Sequence, residues 1–313
     1  MSMLYTASTS TMPTFLGDEV SKPFEAAQVV ILPIPFEATT TYRKGCVAGP
    51  EAILTASHQV EYYDDEWEQE FWPLGLYTHS SVADSRRGGP MPEAMVAEVK
   101  RATLPLLAAG KFVIALGGEH SITAGLVAAY QEASLEPFTV VQIDAHSDLR
   151  QTYEGSIYNH ACVMRRVLDM GIPTVHIGIR SLCQEEATLI RDRQLPVFWA
   201  RHLAAQAPET WIPPVLAAIN TSRVFLTIDL DGLDPSAMPG VGTPEPGGLG
   251  WYALLEFLRR LFETKDVLGA DVMELAPLQD SVVSQFTAAK LVYKLVGYWA
   301  IATAKASPPS AAG

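Results

Sequence analysis

Cysteine is scarce in this sequence, and its spacing excludes two classes of site. Only Cys46, Cys162 and Cys183 occur in 313 residues, and no two of them form a CxxC pair. A disulfide-stapled scaffold and a thiolate zinc site both need more cysteines at closer spacing. We therefore expect the reducing cytoplasm as the setting of this protein.

Basic residues are also in short supply. Lysine and arginine total 22 against 35 aspartate and glutamate residues, which leaves a formal net charge of −13. A nucleic-acid partner requires a basic surface for its phosphates, so we expect none. An acidic chain is better suited to cationic substrates and divalent metals.

Long apolar runs are the third absence. No uncharged apolar stretch reaches the roughly 18 residues of a membrane span, so we expect no membrane partner. The opening MSMLYTASTS has neither the basic nor the apolar segment of a signal peptide. The composition predicts a polar, loosely ordered N-terminal arm over residues 1–25, a single domain over 26–306 and a disordered tail over 307–313.

Short apolar runs alternate with longer amphipathic stretches along the domain. The predicted strands cover residues 29–36, 112–118, 139–145, 174–179, 196–200, 224–230 and 267–275. The predicted helices cover residues 91–109, 121–134, 160–170, 184–194, 208–219, 250–263 and 284–303. Several strands are apolar on both faces, as strands buried beneath helices on either side must be. The sequence therefore predicts an α/β fold of three layers, α/β/α, around a central, mostly parallel sheet.

Three polar motifs stand where three of these strands end, the edge at which α/β proteins gather functional groups. The motifs are GGEHS (117–121), DAHSD (144–148) and DLDGLDP (229–235). Residues two apart in an extended segment point to the same side, so the polar side chains of each motif can converge. The candidate metal ligands are His120, Asp144, His146, Asp148, Asp229 and Asp231.

The charge of this ligand set predicts two metal ions. Four carboxylates brought together repel one another unless cations lie between them. Two divalent ions balance the four charges, and carboxylates bridge ions that are about 3.5–4 Å apart. Oxygen and nitrogen ligands favour two Mn²⁺ per chain, with nickel, cobalt and iron left open. Any single aspartate at a strand end can instead cap a helix or shape a turn, and we expect Asp234, which precedes Pro235, to do so.

The strings GGEHS, DAHSD and TIDLDGLDP resemble the signature motifs of the ureohydrolase family, which includes arginases and agmatinases. The resemblance runs from about Phe36 to Tyr298. It implies the arginase-like fold and a dinuclear site at which a guanidino group is hydrolysed to urea and an amine. It implies one metal held by His120, Asp144, Asp148 and Asp229, and a second held by Asp144, His146, Asp229 and Asp231.

The resemblance also implies roles for residues around the metals. Glu274, in VMELAP, matches the family acid that pairs with the substrate guanidinium. His160, in SIYNHACVMRR, matches the family histidine that passes protons to the leaving amine, although Ala161 follows it where the family usually has glycine. We therefore expect His160 and Asp148 to be catalytic. The family further implies a homo-oligomer, either a trimer or a hexamer.

The loop between the second motif and His160 bears on the choice of substrate. It reads LRQTYEGSIYN, lacks the asparagine that arginases place here, and looks like agmatinases of bacteria and archaea. Glu154 suits the ammonium of agmatine, whereas Arg150 suits a carboxylate. We expect hydrolysis of agmatine to putrescine and urea, a step of polyamine biosynthesis. Guanidinobutyrate, guanidinopropionate, guanidine and arginine are alternative substrates. A non-catalytic metal-binding regulator and a single-zinc deacetylase are alternatives from other classes.

Overall fold

The structure, a computed structural model, describes residues 12–134 and 136–306, so the predicted tail over 307–313 lies outside the described residues. In chain order the strands are β1 (Val29–Ile34), β2 (Tyr63–Asp64), β3 (Gln69–Glu70), β4 (Leu76–Thr78), β5 (Phe112–Gly117), β6 (Phe138–Ile143), β7 (Thr174–Ile179), β8 (Val197–Trp199), β9 (Arg223–Asp229) and β10 (Asp266–Met273). Eight of them form one sheet in the order β4-β1-β5-β10-β9-β6-β7-β8. Every neighbouring pair in this sheet is parallel, and β2 and β3 form a separate antiparallel ribbon.

Helices cover both faces of the sheet. They are α1 (Gly49–Ser57), α2 (Pro92–Ala108), α3 (Thr123–Ala133), α4 (Val163–Asp169), α5 (Gln184–Arg193), α6 (Ala200–Leu203), α7 (Pro208–Ala218), α8 (Trp251–Thr264) and α9 (Val283–Ala306). Along β5, Ile114 and Leu116 pack in one apolar cluster with α1, α7, α8 and α9. Val113 and Ala115 pack in another with α2, α3, α4 and α5. Both faces of the strand are buried, and the predicted three-layer α/β/α architecture is confirmed.

The elements agree with those predicted, apart from α1 and the shortest ones. Each predicted strand and each predicted helix has a counterpart within a few residues of its predicted ends. The segment 160–170 is divided, because a 3-10 turn over His160–Cys162 precedes α4. The nine-residue α1 is not among the predicted helices. The sequence does not predict β2, β3, β4 or α6 either, since elements of two to four residues are too short to show a period. Among the described residues, no helix combines the length and apolarity needed to cross a bilayer.

The N-terminal segment packs more closely than expected. The prediction of a loosely ordered arm over residues 1–25 is wrong for residues 12–25, and its residues 1–11 lie outside the described residues. Phe15 and Leu16 are buried in the core. The backbone N–H of Phe15 donates to Thr78 Oγ1 at 2.8 Å, which ties the segment to the end of β4. Phe15, Leu16 and Val20 anchor this otherwise polar stretch, because they reach a core that the rest of the chain provides.

Candidate metal centre and its cavity

The four central strands of the sheet end side by side. They lie in the order β5-β10-β9-β6, and each is hydrogen-bonded to the next. His120 lies just beyond β5, Glu274 just beyond β10, Asp229 at the end of β9 and Asp144 just beyond β6. These residues come from distant parts of the chain, and parallel strand pairing brings them to one edge of the sheet.

A first cluster of ligand atoms surrounds the ring of His120. Its Nδ1 lies 3.1 Å from Asp144 Oδ2, 3.1 Å from Asp148 Oδ2 and 3.4 Å from Asp229 Oδ2. All four side chains are buried. Within the described part of the chain, this nitrogen has no hydrogen-bond partner. A buried polar atom without a hydrogen-bond partner costs folding free energy. A cation among these four atoms would give each of them a partner.

A second cluster adjoins the first through Asp144. His146 Nδ1 lies 2.9 Å from Asp231 Oδ2 and 3.7 Å from Asp144 Oδ1. Asp144 therefore turns one oxygen to each imidazole, as a carboxylate that bridges two cations would. The N–H of Ala145 donates to Asp231 Oδ1 at 3.0 Å, and the N–H of Asp231 donates to Asp229 Oδ1 at 2.9 Å. Backbone donors thus fix the aspartates, and all six predicted ligands lie in the two clusters.

Two residues that the sequence does not single out orient His120. Its Nε2 lies 2.8 Å from Thr227 Oγ1, and the Thr227 hydroxyl donates to Asp271 Oδ1 at 2.7 Å. Because the hydroxyl proton is used on Asp271, Thr227 must accept the proton of Nε2. The lone pair of the neutral ring is then on Nδ1, which faces the carboxylates. In the sequence, the signal that could have singled out Thr227 and Asp271 is a polar residue within an otherwise apolar strand, and both side chains are buried in the structure.

A second pair of polar residues orients Asp144. The Gln142 side-chain amide donates to Asp144 Oδ2 at 2.7 Å, and its carbonyl oxygen is hydrogen-bonded to His176 Nδ1. The other ring nitrogen of His176 lies 2.8 Å from Thr174 Oγ1. Burial lowers the pKa of His176 to about 4, so the ring is neutral at pH 7. A neutral, fully buried ring thus fixes the amide that holds Asp144.

The protonation of the ligands shows whether cations fit. Burial raises the pKa of Asp148 to about 7, and the charge of Asp144 adds to the rise. Burial and the charge of Asp231 raise the pKa of Asp229 well above its usual range. Burial disfavours a charged His146, but the neighbouring aspartates outweigh it and raise its pKa to about 12. In the metal-free protein these groups hold protons, and each must lose its proton before it can bind a metal. The donor set therefore fits two divalent cations that take the place of those protons.

Metal affinity is expected to rise with pH. Asp148 and His146 hold their protons more tightly than usual in the metal-free protein, and each must release its proton to bind a cation. Each displaced proton makes binding about tenfold tighter per pH unit as long as the pH lies below the pKa of the group. Competition with a chelator should therefore give a dissociation constant that falls at least about tenfold from pH 6 to pH 7.

The protons can also be counted directly. Calorimetry in two buffers of different ionisation enthalpy gives the number of protons released on metal binding. Asp148→Asn should reduce this number, because the amide carries no titratable proton. A dissociation constant that does not change with pH would contradict the assignment of these groups as ligands.

A cavity of about 210 Å³ adjoins the clusters. Six of the predicted functional residues line it, namely His146, Asp148, His160, Asp229, Asp231 and Glu274. A molecule bound in this cavity therefore touches ligands of both clusters as well as His160 and Glu274.

Glu274 is a buried acid at the wall of this cavity. The N–H of His120 donates to its Oε1 at 2.7 Å. Burial raises its pKa well above the usual range, and a guanidinium in the cavity would restore its charge through parallel hydrogen bonds. Glu274 and Asp148 both have left-handed backbones, with φ of +66° and +52°. Such strained conformations at non-glycine residues are typical of functional sites.

His160 enters the cavity from the start of its 3-10 turn. The side chain of Asn159 caps this turn by accepting the N–H of Ala161 at 3.0 Å. Burial, and then the charges of His146 and His120, lower the pKa of His160 to about 4. At neutral pH its ring is therefore uncharged and able to accept a proton.

The loop after Asp148 places its two charged candidates differently. Arg150 lines the cavity, and its guanidinium carbon lies 4.6 Å from the ring centre of Tyr153. Glu154 is exposed and is not among the residues that line the cavity. It occupies the tip of a turn in which Tyr153 and Ser156 exchange two backbone hydrogen bonds of 3.0 Å. The structure therefore places Glu154 outside the cavity, apart from the other predicted site residues.

Comparisons with known proteins agree with this geometry. Residues 27–297 match the family model described as the Arginase family. The chain is 57% identical to an N(1)-aminopropylagmatine ureohydrolase of Synechocystis sp., over 93% of this chain and 95% of that protein. It is 33% identical to an agmatinase of Pyrococcus horikoshii, over 87% of this chain and 92% of that protein. The crystal structure of the agmatine ureohydrolase of Thermoplasma volcanium has a TM-score of 0.82 at 31% identity, and the match covers 93% of this chain and 96% of that one.

Proposed function

The chain belongs to the arginase family and is a ureohydrolase, a hydrolase of amidino C–N bonds, and on that premise we propose that it releases urea from a guanidino polyamine. The observation that carries the proposal is the cavity in which both ligand clusters, Glu274 and His160 meet. We propose N(1)-aminopropylagmatine as the substrate. Agmatine, which the loop sequence favours, is the second candidate, supported by the similarity to agmatinases.

Two cations of the size and charge of Mn²⁺ suit the oxygen and nitrogen ligands of the clusters. His120, Asp144, Asp148 and Asp229 would hold the first, and Asp144, His146 and Asp231 would hold the second, to which the family resemblance adds Asp229 as a bridging ligand. When bound, such a pair supplies Lewis acidity and lowers the pKa of water, so that a strong nucleophile exists at neutral pH.

Glu274 would bind the reacting end of the substrate. Its carboxylate is buried at the cavity wall, and the planar guanidinium offers it two parallel N–H groups. The pairing favours the charged form of the acid, which burial alone disfavours. A neutral substrate would leave this desolvated acid without a counter-ion, and the site therefore selects a cation.

His160 would move the proton that the leaving amine needs. Its ring is neutral at pH 7 because its pKa is lowered to about 4. It can therefore take a proton from the attacking water and pass it to the amine nitrogen as the C–N bond breaks. A histidine charged from the start could give a proton but could not first accept one.

The far end of the cavity would select the substrate tail. The cavity opens to solvent, so a linear polyamine can extend outward from the guanidinium. The net charge of −13 favours a tail with ammonium groups. Arg150 at the cavity wall is the group that would favour a carboxylate instead, and substrates with and without a carboxylate therefore discriminate between the candidates.

A urea-release assay over a panel of guanidino compounds tests the substrate. We expect kcat/KM for N(1)-aminopropylagmatine to exceed that for agmatine by about tenfold or more, since a site that binds a group discriminates against a substrate lacking it. Arginine and guanidinobutyrate should react more slowly still, because burying their carboxylate without a satisfactory partner costs several kcal/mol. Glu154→Gln, a change outside the cavity, should leave these values as they are.

Each other outcome of the panel has a defined meaning. Faster turnover of agmatine would select the second candidate. Faster turnover of guanidinobutyrate, abolished by Arg150→Gln, would show that Arg150 binds a carboxylate and that the polyamine assignment is wrong. The absence of urea with every compound would refute the proposed hydrolysis.

A further inference from the structure

Thr39 links a buried carboxylate to the ring of His160. Its hydroxyl donates to Glu119 Oε1 at 2.7 Å. Thr39 Oγ1 also accepts the backbone N–H of His160 at 3.0 Å, and it lies 3.2 Å from the His160 Nδ1. Glu119 is fully buried, and Thr39 is half-buried. The three residues form a continuous path from the interior to the cavity that His160 lines.

The donors around Glu119 determine the direction of this path. Its Oε2 accepts the N–H groups of Ala38 and Thr39 at 2.5 and 2.6 Å. Its Oε1 accepts the hydroxyls of Thr39 and Ser121 at 2.7 and 2.6 Å. A carboxylate accepts and does not donate, and these four donors fill its capacity. The single hydroxyl proton of Thr39 is therefore directed to Glu119 and away from the histidine.

The remaining lone pairs of Thr39 Oγ1 can only accept hydrogen bonds. His160 presents two groups to this oxygen, its backbone N–H and its ring Nδ1. A hydrogen bond between Nδ1 and Oγ1 thus requires the proton on Nδ1. In the neutral ring the lone pair is then on Nε2, which is the nitrogen left to exchange a proton in the cavity.

We propose that Glu119 and Thr39 are positioning residues that hold His160 in the tautomer with the proton on Nδ1. This inference rests on the proposed ureohydrolase reaction. There, the oxygen of the attacking water bonds to the guanidinium carbon while Nε2 takes a proton from that water, and Nε2 then returns the proton to the amine nitrogen of the substrate. The C–N bond breaks, its electron pair goes to that nitrogen, and Nδ1 keeps its own proton throughout. The opposite tautomer would direct the lone pair to Thr39 and leave no acceptor in the cavity.

Substitutions at Thr39 separate the hydroxyl from the space it fills. Thr39→Val keeps the volume and should lower kcat for urea release about 10–100-fold, the usual effect of losing a partner that orients a functional histidine. KM and metal content should not change. Thr39→Ser keeps the hydroxyl and should retain most of kcat. Thr103→Val is the matched control, since it removes a buried hydroxyl whose hydrogen bond, among the residues that the structure describes, lies within α2, and it should leave kcat unchanged.

A double-mutant cycle distinguishes positioning from a general structural role. If the hydroxyl acts through the ring, Thr39→Val should have no further effect on kcat in a His160→Asn background. The same fold loss in both backgrounds would overturn the inference, and so would full kcat in Thr39→Val. Wild-type protein that releases no urea from any guanidino compound would refute the proposed function instead.

The tautomer can also be observed without changing Thr39. In the Zn²⁺-loaded protein, the ¹⁵N resonances of the His160 ring can be assigned by their loss in His160→Asn. We expect a protonated Nδ1 and an unprotonated Nε2. The reverse pattern would overturn the inference even if Thr39→Val did not fold.

Discussion

Asp144→Ala is expected to remove both metal ions and to lower kcat by about 10⁴-fold or more, since the nucleophile depends on the metals. The reason is that Asp144 belongs to both ligand clusters. Its Oδ2 lies 3.1 Å from His120 Nδ1, and its Oδ1 lies 3.7 Å from His146 Nδ1. No other oxygen pair in the described residues faces both imidazoles in this way. Metal content per chain and urea release, measured on the same preparation, check this result.

Two further variants sharpen the test. His120→Ala should weaken only the first site, because its Nδ1 faces the first cluster alone. Asp234→Asn is the matched control from the same sequence motif as Asp229. Asp234 accepts the backbone N–H groups of Ser236 and Gly247 at 2.9 and 3.1 Å, which is the loop-shaping role expected of it. This variant should retain both metals, and an Asp144→Ala protein that also retained both would show that Asp144 does not bridge.

His160→Asn is expected to lower kcat by about 10²–10⁴-fold, the usual contribution of a positioned acid–base group. Asparagine cannot accept and return a proton, so the amine would have to leave without that help. Metal content should be unchanged, because His160 belongs to neither ligand cluster. KM should change little, since Glu274 rather than His160 would bind the guanidinium. Steady-state urea release with metal analysis provides the measurement.

A surface histidine supplies the comparison for this variant. His202→Asn alters an exposed residue of α6 and should leave kcat unchanged. If His160→Asn kept wild-type kcat as well, the proton would have another route. His160 would then serve only to start the 3-10 turn before α4.

The ligand set could be predicted from the sequence because its geometry is local. His146 follows Asp144 by two positions, and Asp231 follows Asp229 by two, so each pair turns to one side where its strand ends. The parallel sheet then brings the motifs together without any further information. The three-layer fold could be predicted for the same reason, since fully buried strands are apolar on both faces.

The contacts that orient the ligands could not be predicted, because they depend on which strands are neighbours. Thr227 and Asp271 lie 44 positions apart and meet only because β9 pairs with β10 in a register that places them opposite each other. Thr39 and His160 lie 121 positions apart. Spacing along the chain contains no trace of such contacts, and the strand order β5-β10-β9-β6 is needed to find them.

The substrate loop could not be predicted because its conformation depends on turn geometry. The positive φ values of Glu154 and Gly155, +47° and +82°, form a tight turn that leaves Glu154 exposed. A charged residue that is adjacent in the chain to a residue lining the cavity therefore need not line the cavity itself. The homo-oligomer expected from the family resemblance stays a prediction, and sedimentation analysis would test it.

The dinuclear centre is tested most directly by titrating metal-free protein with Mn²⁺ while urea release from N(1)-aminopropylagmatine and from agmatine is followed. Both ligand clusters must be filled if Asp144, whose two oxygens face both clusters, serves two ions together. We predict that the rate reaches its plateau at two equivalents of bound metal per chain. A plateau at one equivalent would contradict the two-metal mechanism.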